Sequence, residues 1–319
     1  MRPPDHWHLR RKRATPPWWL FALGGVVVLG ALLWRCQLSD GGGALDRVAA
    51  GPCAAATCEP EGPPASFGGG APPSPKINGR SAAVLEEPCG ALLYGLAANL
   101  RRPPASLTKL ATALVATERA DLDETVEVRV NSALLVASTG STVMGLEPGM
   151  RLSMRDLLHG LLLTSGNDAA IAIAEAVAGN VPAFVDLMNE KAVALGLRNT
   201  HFANPHGLDD PALYSSALDM ALLGHALLVH PELAAIVRTK EYQPAWDGPE
   251  LWNGNALLDL YPEAIGIKIG YTETAGQTIV AAAERNGRRL VVSVLGSRDR
   301  YADAMALLEW GFAEAPPGC

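Results

Sequence analysis

The sequence predicts an α+β domain built on one antiparallel sheet. Strand-like segments stand at both ends of the folded part, helical periodicities fill its middle, and two late strands meet at a tight-turn pair. Ala82–Leu85 and Ala91–Tyr94, separated by Glu86-Glu87-Pro88-Cys89-Gly90, read as a hairpin. Pro103-Pro104 precede a helix whose Leu107, Leu110, Ala111, Leu114 and Val115 share one face. Ser153 and Asp156 resemble a capping box opening a helix through Leu163. A second helix runs from Asp168 to Ala178 and stops at Gly179. Further helices fit Pro182–Leu195 and Ala217–Leu228. Ile265–Thr272, Gln277–Glu284 and Arg288–Leu295 read as strands, the last two joined at Asn286-Gly287, a strong hairpin signal. A helix over Tyr301–Phe312 closes the chain.

The N-terminal quarter has a different character. Residues 1–16 form a basic tail with Arg10-Arg11-Lys12-Arg13, and residues 17–35 contain an uncharged run from Trp18 to Trp34. That run is long enough for a bilayer-spanning helix, and its terminal tryptophans suit the two interfaces. The basic cluster before it predicts a cytoplasmic N-terminus and an extracytoplasmic C-terminal bulk. Trp34-Arg35 spoil a small-residue cleavage site, which favours an uncleaved anchor. Residues 36–75 are Gly/Pro/Ala-rich and read as a flexible linker, and residues 76–319 as the folded domain.

Charge narrows the function classes. The net charge is −7, yet the first 35 residues carry six basic side chains against Asp5, leaving −12 for the rest. An acidic body of that kind argues against nucleic acid as a partner. Of the five cysteines, Cys53 and Cys58 are close enough to pair in an oxidising compartment, Cys36 borders the membrane segment, and Cys89 and Cys319 read as isolated. No Cys/His spacing predicts a metal site, and no cofactor motif occurs.

The chemistry sits in three short motifs. Ser106-Leu107-Thr108-Lys109 places a serine and a lysine three residues apart at a helix start, on one face. A buried lysine beside another cation is neutral enough to take the serine proton. The free N–H groups of a helix N-terminus favour a developing oxyanion. The tetrad alone is weak, because an ordinary amphipathic helix produces it by chance. Ser165-Gly166-Asn167 follows between two helices, and Lys268-Ile269-Gly270 then lies on a strand before Tyr271-Thr272. Together they follow the S-x-x-K, S-x-N, K-T-G order of penicillin-binding proteins and serine β-lactamases.

The segments PASLTKLATALVA, LLHGLLLTSGNDAAIAIAEAVAG, FVDLMNEKAVALGLRNTHFANPHGL and KIGYTETAGQ resemble the D-alanyl-D-alanine carboxypeptidases of the low-molecular-mass penicillin-binding group. The resemblance runs from about Arg80 to Gly296. It implies a penicillin-recognising, β-lactamase-like serine-peptidase fold, with helices layered on the sheet and a helical subdomain closing the cleft. It implies a peptidoglycan stem peptide as substrate, β-lactams as inhibitors, and a place in cell-wall assembly and cell shape.

Carried over by residue, the resemblance makes Ser106 the nucleophile and Lys109 its base. Ser165 relays a proton, Asn167 holds the substrate amide, and Lys268 sits beside Ser165. Tyr271 supplies a backbone N–H to the oxyanion, and Gly270 lets substrate lie against the strand edge. The family's third motif has threonine where this chain has Ile269, which puts recognition of the substrate carboxylate on Thr272. A second, β-rich domain after the peptidase domain, common in the family, is not expected here. His201 and His206 read as structural, Asp168 as a helix cap, and Trp246 and Trp252 as packing residues. Rivals are a β-lactamase, which rapid penicillin turnover would support, and a non-catalytic wall-binding domain, which a serine that never acylates would support.

Overall fold

The computed structural model describes residues 73–246 and 248–319. The expected anchor, the Cys53–Cys58 pair, Cys36 and nearly all of the linker lie outside the described residues. The chain opens with the hairpin β1 (Ser81–Glu87) and β2 (Ala91–Leu96), then a 3-10 turn over Ala105–Thr108 that runs into α1 (Lys109–Arg119). β3 (Thr125–Glu127), α2 (Ser132–Thr139), β4 (Arg151–Ser153), α3 (Met154–Leu162), α4 (Asn167–Ala178) and α5 (Val181–Ala194) follow. Next come α6 (Ala217–Leu228), α7 (Pro231–Arg238), β5 (Glu241–Tyr242), β6 (Leu251–Trp252) and the short α8 (Leu257–Leu260). The strands β7 (Ala264–Thr272), β8 (Gly276–Arg285) and β9 (Arg288–Ser297) and helix α9 (Arg300–Ala313) complete the fold.

The main sheet is antiparallel in the order β2-β1-β9-β8-β7, so the first hairpin joins the C-terminal strands through β1 and β9. Both of its faces are covered, and alternate residues of one strand serve different cores. Ala82 and Val84 of β1, with Val292 and Val294 of β9, pack with Leu307 and Leu308 of α9. Ala83, Leu85, Val291 and Leu295 face the helical layer, where Leu110, Leu161, Ile173 and Leu223 are fully buried. Burial on both faces explains why β9 reads as a continuous apolar run.

Caps and turns follow local chemistry. Ser153 accepts the Asp156 N–H at 3.0 Å, and its hydroxyl donates to the Asp156 carboxylate at 2.9 Å. Asn286 and Gly287 both take positive φ, 53° and 80°, as their hairpin requires. Asp168 accepts the Ala169 N–H in the first turn of its own helix at 2.9 Å, and it does more than cap. Its carboxylate accepts the N–H groups of Met144, Gly145 and Leu146 and the Ser132 hydroxyl, so it pins the 144–146 loop onto α4.

Cys89 and Cys319 are not isolated, because they form a disulfide across 230 residues. The Glu86 carboxylate accepts from Arg288, Gly318 and Cys319 beside that bridge, so the C-terminal tail is fastened to the first hairpin at two points.

Candidate active site

The site is assembled where α1, α4, the 204–208 loop and edge strand β7 converge. Ser106 is partly buried in the 3-10 turn that starts α1. Ala105, immediately before it, is held at φ 52°, and Ser165 at φ 62°. Left-handed backbone at non-glycine residues costs about 1–3 kcal/mol each and clusters at functional sites. Two such residues border this one cleft.

Lys109 is completely buried. Its Nζ donates to Ser106 Oγ at 3.0 Å, to Asn167 Oδ1 at 2.7 Å and to the His206 carbonyl at 2.6 Å. Burial and then the charge of Lys268 hold its pKa well below the ordinary lysine value, against a smaller opposing pull from Asp168. Asn167 donates its Nδ2 to Ser141 Oγ at 2.8 Å, which fixes the amide with its oxygen toward Lys109. The Ser165 hydroxyl makes no hydrogen bond among the described residues and stays free for a ligand.

Lys268 is 2% exposed on β7 and donates only to the neighbouring Ile269 carbonyl, at 3.1 Å. Burial and Arg300 push its pKa down to about 7. No carboxylate lies within hydrogen-bond reach of Lys268, Lys109 or Ser106 among the described residues.

Two glycines let the strand and the loop close on the nucleophile. A Cβ at Gly270 would lie 2.8 Å from Ser106 N and 2.6 Å from Thr278 Oγ1. The missing side chain at Gly270 therefore admits the Ser106 turn rather than clearing the strand edge for substrate. Gly207, at φ 91°, meets the same turn from the other side, where a Cβ would run into the Ala105 carbonyl and lie 3.0 Å from Ser106 N. Its neighbour His206 contributes its carbonyl to Lys109, and its ring, pushed down to about 3 by burial and Lys109, stays neutral. Asn204 Oδ1 accepts from Gly207 N at 2.7 Å, and Thr112 donates to the Pro205 carbonyl at 2.6 Å, which secures the loop. His201 stays outside, its Nδ1 2.8 Å from the Ala212 carbonyl.

Thr272 does not take over from the missing threonine hydroxyl. Its Oγ1 donates to Asp209 at 2.8 Å and accepts from Ala275 N at 3.0 Å, so it closes a turn. Ile269 packs toward the α9 side of the sheet. Sequence reasoning missed Arg300, which reaches back from the start of α9 to the Gly270 carbonyl at 2.7 Å and the Thr278 carbonyl at 3.2 Å. Arg300 is 9% exposed and has no acidic partner within 4 Å among the described residues. Tyr271 is 60% exposed at the rim and Trp252, read as a packing residue, is 58% exposed.

A serine joined to a buried, depressed lysine, with a second buried lysine on the facing strand, is an acyl-transfer arrangement. The family model described as D-alanyl-D-alanine carboxypeptidase matches residues 69–299. The chain belongs to this family. It is 41% identical to D-alanyl-D-alanine carboxypeptidase DacA of Escherichia coli over 253 residues, 76% of this chain and 62% of that protein. The chain thus spans less than two thirds of that relative. A solved D-alanyl-D-alanine carboxypeptidase from Mycobacterium tuberculosis superposes with a TM-score of 0.71 at 36% identity, covering 77% of this chain and 96% of the other. Penicillin binding protein 5 from Haemophilus influenzae gives 0.70 at 34% identity, covering 76% and 72%. The α+β architecture is that of these family members.

Proposed function

We propose that this chain is a serine D-alanyl-D-alanine carboxypeptidase that removes the terminal D-alanine of peptidoglycan stem peptides. The observation that carries the reading is Lys109 Nζ at 3.0 Å from Ser106 Oγ, buried and held well below its ordinary pKa. Neutral Lys109 takes the hydroxyl proton while Ser106 Oγ attacks the penultimate D-alanine carbonyl. The N–H groups of Ser106 and Tyr271 receive the oxyanion. The proton taken up by Lys109 passes through the Ser165 hydroxyl, beside Asn167, to the leaving amine, so D-alanine departs from an acyl-Ser106 ester and the lysine is neutral again. Water, deprotonated by the same lysine, attacks that ester and releases the shortened peptide.

The substrate's terminal carboxylate needs cationic donors, and Lys268 and Arg300 supply them without competition from a protein carboxylate. This assigns carboxylate recognition to charge rather than to the hydroxyls at positions 269 and 272. Asn167 holds the substrate amide and keeps Lys109 in line.

The reading also places the chain at a membrane. The uncharged run over Trp18–Trp34 behind Arg10–Arg13 supports a single-pass anchor with the catalytic domain outside, and the Cys89–Cys319 disulfide suits an oxidising compartment. Protease added to intact spheroplasts should then degrade the domain, and full protection would overturn the anchor.

The deciding experiment is intact mass after incubation with benzylpenicillin. A covalent adduct on Ser106, absent from Ser106→Ala, is expected. An adduct that maps elsewhere, or that persists in Ser106→Ala, sinks the assignment. An adduct lost by fast hydrolysis would favour the β-lactamase reading.

A further inference from the structure

A polar pocket of about 350 Å3 opens where the entry into β1, the β7–β8 turn and the β9–α9 junction meet. Asn78, Arg80, Glu273, Thr274 and Arg298 stand in its walls, and Ala275 is its only apolar side chain. None of Ser106, Lys109, Ser165, Asn167 and Lys268 lines it, so it is separate from the catalytic cleft. Its walls are held by their backbone. Asn78 N donates to Asp303 at 2.8 Å and Arg80 N to the Leu295 carbonyl at 3.0 Å, which fixes that segment to α9 and β9. Ala275 N donates to Thr272 Oγ1 at 3.0 Å, which closes the β7–β8 turn, and Gln277 Nε2 donates to the Arg298 carbonyl at 3.0 Å. The stem of Arg80 lies against Gly296, where a Cβ would stand 3.1 Å from its Cδ and 3.2 Å from its Cγ. The bare backbone at Gly296 gives that stem a track.

What these walls offer is unspent donors. The side chains of Arg80, Arg298, Asn78 and Thr274 make no hydrogen bond or ion pair among the described residues. A third arginine stands behind them. Arg102 Nη2 donates to the Arg80 carbonyl at 3.3 Å, and after burial it is the charge of Arg80 that lowers the Arg102 pKa. Arg102 too forms no ion pair among the described residues. Guanidiniums without counter-ions on an acidic body make a local positive field, and their forked donors match the oxygens of a phosphate. Glu273 is the one carboxylate in the lining, also unpaired, and it suits a hydroxyl donor. We infer that this pocket binds a phosphate group on a small hydroxyl-bearing carrier. Arg80 and Arg298 take the phosphate oxygens, and Glu273 accepts a carrier hydroxyl. With Ala275 alone apolar, the pocket has no place for an acyl chain, so a phospholipid would present only its headgroup. The inference is independent of the reaction assigned to Ser106.

The test titrates the full chain, in uncharged maltoside micelles, with sn-glycerol 3-phosphate and follows the 31P line width. Saturable broadening is expected, with inorganic phosphate binding more weakly. Arg80→Gln and Arg298→Gln should each weaken binding about fivefold, the upper range for one exposed charge contact, and the double variant about twenty-fivefold. Glu273→Ala should erase the preference for glycerol 3-phosphate over inorganic phosphate. Benzylpenicillin acylation, retained in each variant, shows that the fold is intact. Micelles doped with phosphatidylglycerol distinguish the source of the phosphate. Displacement of glycerol 3-phosphate by less lipid phosphate than inorganic phosphate assigns a lipid headgroup, and no displacement assigns a soluble ester. No saturable broadening, or a Kd unchanged in the double variant, overturns the inference. A preference that survives Glu273→Ala overturns the hydroxyl contact.

Discussion

Gly207 lies outside all three motifs, yet replacing it with alanine should disable the site. Two costs add. Alanine at φ 91° pays the left-handed penalty of about 1–3 kcal/mol. The new methyl would also run into the Ala105 carbonyl, with its carbon 2.5 Å away and Ser106 N at 3.0 Å, and these backbone atoms cannot rotate aside. Overpacking of this kind costs about another 1–3 kcal/mol. Gly179 is the control. It sits at φ 78° behind α4 with nothing within 4 Å of a Cβ, so Gly179→Ala carries the backbone term alone. Relief of the clash must move either the Ser106 turn or the loop whose His206 carbonyl holds Lys109. A displacement of about 1 Å at such a position costs roughly a hundredfold in rate. Stopped-flow acylation by a chromogenic cephalosporin, beside thermal unfolding, checks both terms. Gly207→Ala should acylate about a hundredfold more slowly and lose more than Gly179→Ala in Tm, which should drop about 2–4 °C per kcal/mol. Wild-type acylation by Gly207→Ala would refute the coupling between this loop and the nucleophile.

Two further predictions concern charge and cross-linking. Lys268 titrates near pH 7, so kcat/KM on a D-Ala-D-Ala peptide should fall as pH rises through 7 and its cation is lost. Lys268→Arg, whose guanidinium stays protonated, should remove that alkaline limb. Stability should move the opposite way. The unfolded lysine keeps its proton up to about pH 10.4, so between there and pH 7 the unfolded state binds more protons and the folded state gains as pH rises. A flat kcat/KM between pH 6 and 9 would remove Lys268 from carboxylate binding. Replacing Cys89 and Cys319 by serine should cost about 2–4 kcal/mol of unfolding free energy with penicillin acylation retained. An unchanged denaturation midpoint would show that the Glu86–Arg288 pair and the tail's hydrogen bonds fasten the C-terminus unaided.

What was legible in the sequence was whatever local pattern decides. The S-x-x-K spacing, the Asn286-Gly287 turn and the doubly apolar β8 and β9 are each settled within a few residues, and the strands and main helices stand where those signals put them. Helix α2 was missed because its apolar residues are exposed, with Leu134 69% accessible, so it shows no buried periodicity. Helix α7 carries a local start signal, Pro231 at a favoured first helical position, but no cap hydrogen bond from His230 to reinforce it. The Cys89–Cys319 pair and the reach of Arg300 depend on long-range approach across β1, β8 and β9, which no window of sequence reports. Asp168 stands in the first turn of α4 and accepts the Ala169 N–H there, as a cap reading expects, but a buried carboxylate seeks the most N–H donors, and the distant 144–146 loop offers three more that no local pattern reports.

The replacement of threonine by Ile269 gains a physical account from the same geometry. A hydroxyl at this position adds one neutral hydrogen bond to a carboxylate, worth less than a donor carrying its own charge. Here three basic side chains, Lys109, Lys268 and Arg300, are buried around one cleft, and among the described residues no carboxylate forms an ion pair with any of them. Burying unpaired cations costs stability, and the two lysines relieve it by lowered pKa values, while Arg300, though burial pushes its pKa down too, stays charged. The charge that must persist at neutral pH is therefore the one on Arg300, anchored by the Gly270 and Thr278 carbonyls. A substrate carboxylate entering between Arg300 and Lys268 would restore the missing counter-ion and raise the Lys268 pKa as it binds, so under the carboxypeptidase proposal binding the terminal residue and charging the cleft would be one event.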